Sequence, residues 1–178
     1  MSKTEPIETE SNWYILYTNP RSEKKLSSLF RKYKIESYLP LRKERKKWTD
    51  RFKWIETPLF PSYIFVKILF WQDRVKVLQL PGAHHFVFLK GVPATVSQSH
   101  LDVLEQQIAK YSESLVVGRD SVIQKGKFVK VIRGPFKGHT LEILNRKNKV
   151  NVILRFAAMD IASEISVNIE DIAWEELL

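Results

Sequence analysis

A chain of 178 residues is long enough for one ordinary domain or two small ones, and 44% hydrophobic with 12% aromatic residues is enough to build a core, which excludes a wholly disordered polymer. The absence of cysteine excludes disulfides, thiol catalysis and zinc–thiolate sites, and it suits a reducing cytoplasm. The net charge of +9 is local: residues 21–53 hold thirteen basic and four acidic side chains, a surplus of nine, whereas residues 160–178 hold six acids and no Lys or Arg. Such asymmetry points to two modules with different partners.

No apolar run approaches the roughly 18 residues of a membrane span. The longest, Tyr63 to Trp71, is interrupted by Lys67, and Met1 to Asn12 is polar and acidic with no secretory apolar stretch. A cytoplasmic protein without membrane contact is therefore expected, with residues 1–12 disordered.

Trp13-Tyr14-Ile15-Leu16-Tyr17 predicts a buried first strand, ended by the turn pair Asn19-Pro20. Leu26, Leu29, Phe30 and Tyr33 then recur at helical spacing, and Lys24, Lys25, Ser28, Arg31 and Lys32 fill the other faces, so an amphipathic helix with a basic outside follows. Tyr38-Leu39-Pro40-Leu41 begins a second strand. Residues 42–53 lack Gly, Pro and any helical apolar period, which predicts an extended hairpin or a mobile loop. A charge run is by default a solvated face, but Trp48, Phe52 and Trp54 are interleaved with Arg42, Lys43, Arg45, Lys46, Lys47, Arg51 and Lys53. That mixture suits phosphates together with bases, or a protein partner.

Pro58 to Val66 is a strand entered through two prolines, with Tyr63 and Phe65 on one face and Ile64 and Val66 on the other. Either both faces are covered by helices or one is an exposed aromatic patch. Asp73 to Leu80 predicts a short helix stopped by Pro81-Gly82, His84 to Leu89 a strand, and Ser97 an N-cap for a helix carrying Leu101, Leu104, Ile108 and Tyr111. The order β-α-β-β-α-β-α describes an α+β sandwich with an antiparallel sheet over residues 13–111. Residues 112–121 have linker composition. Beyond them, Lys127–Ile132, Thr140–Leu144, Val150–Phe156 and Ile161–Ile169 alternate with Gly, Pro and Asn-Lys turns, so residues 122–178 predict a small β-barrel.

No catalytic constellation is apparent, and neither Walker-type nor G-x-S-x-G spacing occurs. His84-His85 is the one metal candidate, and neighbours on a strand point to opposite faces, so no metal, no cofactor and no enzyme are expected.

Gly126-Lys-Phe-Val-Lys-Val-Ile-Arg-Gly134-Pro135-Phe136-Lys137-Gly138, followed by a strand, a Lys-rich turn and another strand, resembles the KOW unit of SH3-like barrels. Gly134 and Gly138 can take positive φ on either side of the tight turn. Together with Trp13 to Tyr17, the helix bearing Glu23-Lys24-Lys25, Pro58 to Val66, Leu80-Pro81-Gly82 and Phe86-Val87, this order resembles the NusG family of transcription factors over residues 13–174. Pro58-Leu59-Phe60-Pro61 and Tyr38 to Leu41 look more like its specialised members, the RfaH and UpxY antiterminators, than like the housekeeping factor.

The resemblance implies an N-terminal domain that docks on the β′ clamp helices of RNA polymerase through Tyr17, Phe60, Pro61, Tyr63 and Phe65. It also implies that Arg21, Lys24, Lys25 and Lys32, with Arg42, Lys43, Lys46, Lys47 and Arg51, face non-template or upstream DNA, nascent RNA being a further candidate. A monomer is implied. The KOW domain, with Gly126, Gly134, Pro135 and Gly138 at its turn, would meet a ribosomal or Rho-like partner. Leu141, where the housekeeping factor usually has Gly, and Phe156 to Ile161, in place of its hairpin, depart from that factor. Val129, Val131, Ile132, Ile143, Val150, Val152, Ile153 and Val167 favour strands over the helical hairpin that RfaH-type domains can form. The competing expectation is a KOW-type RNA-binding or ribosome-associated protein.

Overall fold

The computed structural model describes residues 9–177; the expectation for residues 1–8 lies outside them. The chain divides into two compact units, one ending at Ser97 and one beginning at Gln98.

In chain order the first unit contains β1 (Asn12–Thr18), α1 (Glu23–Lys32), β2 (Glu36–Tyr38), β3 (Leu41–Lys47), β4 (Phe52–Pro58), β5 (Tyr63–Ile68), α2 (Phe70–Leu78), β6 (Ala83–Phe86), β7 (Phe88–Leu89), β8 (Val92–Pro93) and β9 (Thr95–Val96). Its main sheet runs β2-β5-β1-β6, with β9 also on β1, and the β1, β5 and β6 pairings are antiparallel. The core follows from period-two alternation. Tyr14 and Leu16 of β1, Ile64, Val66 and Ile68 of β5 and Phe86 of β6 form one buried cluster with Leu26 and Phe30 of α1 and Phe70 and Val77 of α2. The opposite sheet face is left for the aromatic residues of odd register.

Residues 42–53 form the hairpin of the two sequence alternatives. β3 and β4 pair antiparallel from Leu41↔Pro58 to Lys47↔Phe52, closed by Trp48 N–H donating to the Arg51 carbonyl at 2.8 Å.

The second unit contains α3 (Gln98–Tyr111), β10 (Val116–Arg119), β11 (Lys127–Arg133), β12 (Thr140–Arg146), β13 (Lys149–Phe156), β14 (Ile161–Asn168) and β15 (Ala173–Glu176). Its sheet order is β10-β14-β13-β12-β11-β15, each pairing antiparallel. This is consistent with the expected KOW-type unit, and the β-branched residues predicted to favour strands lie in strands. Val129, Val131, Ile143, Val150, Val152, Ile153, Ile165 and Val167 are buried.

Two boundaries differ from expectation. Val116–Arg119, inside the segment with linker composition, is a strand paired with Ile161–Glu164. The helix α3 falls within the second unit because polar side chains tie it there: the buried Gln107 amide donates to the Val152 carbonyl at 3.4 Å and accepts from Ser163 Oγ at 2.7 Å, and His100 Nε2 lies 2.9 Å from the Arg155 carbonyl. Burial pushes the His100 imidazole below the usual histidine range, with that carbonyl opposing. The neutral tautomer with its proton on Nε2 suits the contact.

Gly134 and Gly138 both take positive φ, +91° and +90°. Gly126 does not; a Cβ there would come within 2.2 Å of the Ile143 carbonyl oxygen, so close approach explains it. The Gly126 N–H donates to Glu142 at 2.7 Å. Glu142, buried, accepts from Arg155 Nε at 2.7 Å and Nη2 at 2.9 Å, and Arg155 Nη1 reaches Asp120 at 2.6 Å. Arg155 also donates to the carbonyls of Asp120, Ile123 and Gln124, which holds the strand-free segment 120–125 against β13.

Candidate functional site: an aromatic sheet face and a basic hairpin

The register of β1 and β5 sets Tyr17 opposite Tyr63 and Ile15 opposite Phe65, on the sheet face away from α1 and α2. Tyr17 and Tyr63 meet edge to face with centroids 5.3 Å apart, Phe60 meets Phe65 edge to face at 6.3 Å, and Tyr38 of β2 stacks on Phe65 at 6.3 Å. Four of the five residues predicted for a polymerase dock are thus gathered on one face. Their exposure is uneven: Phe60 and Phe65 are 1% and 0% exposed, Tyr17 and Tyr63 are half-buried, and Pro61 is exposed. The face lies between the two alternatives of a covered face and an exposed patch: of the four rings predicted there, Tyr17 and Tyr63 are the accessible ones. Burial, and secondarily Tyr17, pushes the Tyr63 phenol above the usual tyrosine range.

The turn that carries these rings is clamped from two sides. Ser62 adopts the left-handed region at φ 67°, its N–H donates to the Glu23 carboxylate at 2.7 Å, and its carbonyl accepts from Thr18 N–H at 2.8 Å. Glu23 is buried in the first turn of α1. In the sequence Glu23 stands among basic residues, and nothing there signals this role.

His84 and His85 join the same cluster. A register shift on β1 sets His85 opposite Tyr17 but Ala83 opposite Thr18. The bulge turns both rings toward Tyr17, with centroids at 5.8 Å and 5.1 Å, and brings their Nδ1 atoms within 2.7 Å of each other. The strand-alternation argument that separated them is therefore corrected. Burial, then His84, pushes the His85 imidazole down. Among the described residues no group of three or more His, Cys, Asp or Glu could hold a metal ion.

The predicted nucleic-acid residues fall in two places. Arg21, Lys24, Lys25 and Lys32 lie on or beside α1, exposed, with Arg21 in the left-handed region at φ 62°. Lys24 Nζ donates to the Glu56 carbonyl, which fastens the base of the hairpin to α1. A cleft of about 320 Å³ is lined by Lys24, Ser27, Ser28, Arg31, Ser37 and Tyr38 among others. Lys43, Lys46, Lys47 and Arg51 are exposed on the hairpin, and Arg42 is half-buried. The KOW-turn residues Gly126, Gly134, Pro135 and Gly138 lie in the second unit, apart in sequence from both groups.

No helix among the described residues is long and apolar enough to cross a membrane. A search of curated proteins finds no match. Among solved structures, the chain is similar to Thermotoga maritima NusG, from a study of domain interaction in that protein, at 19% identity and a TM-score of 0.50 over 94% of this chain and 98% of that one; the likeness is one of fold. The family model described as transcription termination factor nusG matches residues 11–105, more than half of the sequence. The chain belongs to the NusG family of transcription factors, which act by binding RNA polymerase and not as enzymes.

Proposed function

We propose that this protein is a specialised elongation and antitermination factor, docking on the clamp helices of the polymerase β′ subunit and suppressing pausing or termination over particular operons. The observation that carries the reading is the convergence of Tyr17, Tyr38, Phe60, Tyr63 and Phe65 on one face of the sheet. Aromatic rings with polar tips supply interface energy at small entropic cost. The basic surface of α1 and the β3–β4 hairpin then contacts non-template or upstream DNA, where phosphate contacts position the factor.

The specialised character is supported by Leu141, by the Pro58-Leu59-Phe60-Pro61 turn and by the segment after β13, a short 3₁₀ turn at Ala157–Met159 closed by Asp160 in the left-handed region. The second unit acts as a recruiter, and Phe128 and Ile132, exposed on β11, supply an apolar contact for a ribosomal or Rho-like partner. The protein works in the cytoplasm as a monomer. The experiment is in vitro transcription with purified polymerase on a template carrying a strong pause. The full chain shortens the pause, and a chain without effect on pausing or termination at saturating concentration contradicts the reading.

A further inference from the structure

The β3–β4 hairpin has two faces, and its register sorts them. Lys43, Arg45 and Lys47 lie directly opposite Glu56, Trp54 and Phe52, and directly opposed residues project from the same side. Beyond the Leu41–Pro58 pair at its base, one face therefore carries three cations, two aromatic rings and one carboxylate. The rings are not in a core: Phe52 is 55% exposed and Trp54 68%, with Trp48 at the turn 56% exposed. They are interleaved with cations, the Arg45 guanidinium lying 4.1 Å from the Phe52 centroid and the Lys53 ammonium 5.9 Å from that of Trp48. Among the described residues the hairpin is a separate two-stranded sheet that pairs with no other strand.

We propose that this face binds single-stranded DNA, with Trp54 as the principal base-stacking platform and Lys43, Arg45 and Lys47 on the phosphates. The proposal rests on the nucleic-acid role of the first unit and adds the face, the strand state and the mode. Successive side chains on one face of a strand stand about 7 Å apart, so β3 presents a file of cations and β4 a file of rings beside it, as an open strand presents phosphates along one edge and bases along the other. A duplex hides its base faces in its own stack and offers Trp54 nothing to cover. Beyond the Leu41–Pro58 pair at its base, and Glu56 apart, the side chains of this face are cations and aromatic rings. The rings stack on a base whichever sugar carries it, so the choice of DNA rests on the non-template strand with which the proposed function brings this surface into contact. The excess of cations sets an anionic strand above a neutral protein surface as the occupant.

The test uses the full chain and fluorescence anisotropy of a labelled oligothymidylate of about twelve nucleotides across a salt series. Trp54→Ala should weaken binding about tenfold or more with the salt slope unchanged, and Trp54→Phe should retain most of the affinity. Lys43→Ala with Lys47→Ala should reduce the slope by about 1.4. Circular dichroism checks that each variant keeps its fold. Undiminished binding by folded Trp54→Ala overturns the proposal, as does tighter binding of oligouridylate or duplex, or a Trp54→Ala defect confined to polymerase retention. In these cases the broader basic-surface reading survives if Lys25→Glu and Lys32→Glu still weaken DNA binding. Binding that is independent of salt for the unaltered chain overturns both.

Discussion

Tyr17 and Tyr63 face each other across adjacent antiparallel strands, ring planes at 73° and centroids 5.3 Å apart. Such pairs contribute about 0.5–1.5 kcal/mol beyond their buried area. A double-mutant cycle of Tyr17→Ala and Tyr63→Ala, read by urea unfolding, should give a coupling of about 1 kcal/mol. Strict additivity would show that the rings are adjacent without interacting.

Glu23 holds the turn that presents Tyr63. Glu23→Ala leaves the Ser62 N–H without its carboxylate, at a cost of about 1–3 kcal/mol, and should weaken polymerase binding as well as the fold. Glu23→Gln keeps an acceptor oxygen and should restore most of both. Amide hydrogen exchange at Ser62 follows the bond directly, and protection unchanged in Glu23→Ala would contradict the clamp.

The second unit should lose stability in acid. Burial raises the Glu142 pKa, but the Arg155 hydrogen bonds and the Gly126 N–H outweigh burial and hold the carboxyl below the usual carboxylate range. A depressed folded pKa means that the unfolded chain takes up the proton first. The contribution is complete above about pH 4.5 and is lost as pH falls from there through the folded value. Arg155→Ala breaks the pair and should cost about 3 kcal/mol; an acid-unfolding midpoint identical to that of the unaltered chain would be inconsistent with this.

Two glycines of the KOW turn should respond differently to alanine. At Gly134 a Cβ would stand 1.9 Å from the Asp171 carbonyl oxygen, whereas at Gly138 nothing lies within 4 Å. Gly138→Ala meets only the unfavourable positive φ, about 1–2 kcal/mol. Gly134→Ala adds a backbone clash and should cost more than about 3 kcal/mol or prevent folding. Equal costs in chemical unfolding would refute the distinction.

The sheet-forming segments were legible because their apolar residues alternate or run without interruption: Trp13 to Tyr17 and Tyr63 to Val66 admit little but buried strands. The aromatic face was legible through the two-residue period that separates Tyr63 and Phe65 from Ile64 and Val66. Its burial was not, since exposure depends on what packs nearby and Phe60 folds back on Phe65 through a turn. The His84–His85 contact escaped because a bulge breaks the alternation on which the face argument depends. The place of α3 in the second unit escaped for a different reason. The Gln107 to Ser163 and His100 to Arg155 contacts span more than fifty residues, and no local pattern encodes them.

Docking of the aromatic sheet face on polymerase is decided by equilibrium binding of the full chain to a fragment bearing the β′ clamp helices. Tyr17→Ala with Tyr63→Ala, in a chain whose circular dichroism is unchanged, should lower the affinity by about 2 kcal/mol or more, roughly thirtyfold. Affinity within twofold of the unaltered chain would contradict the account.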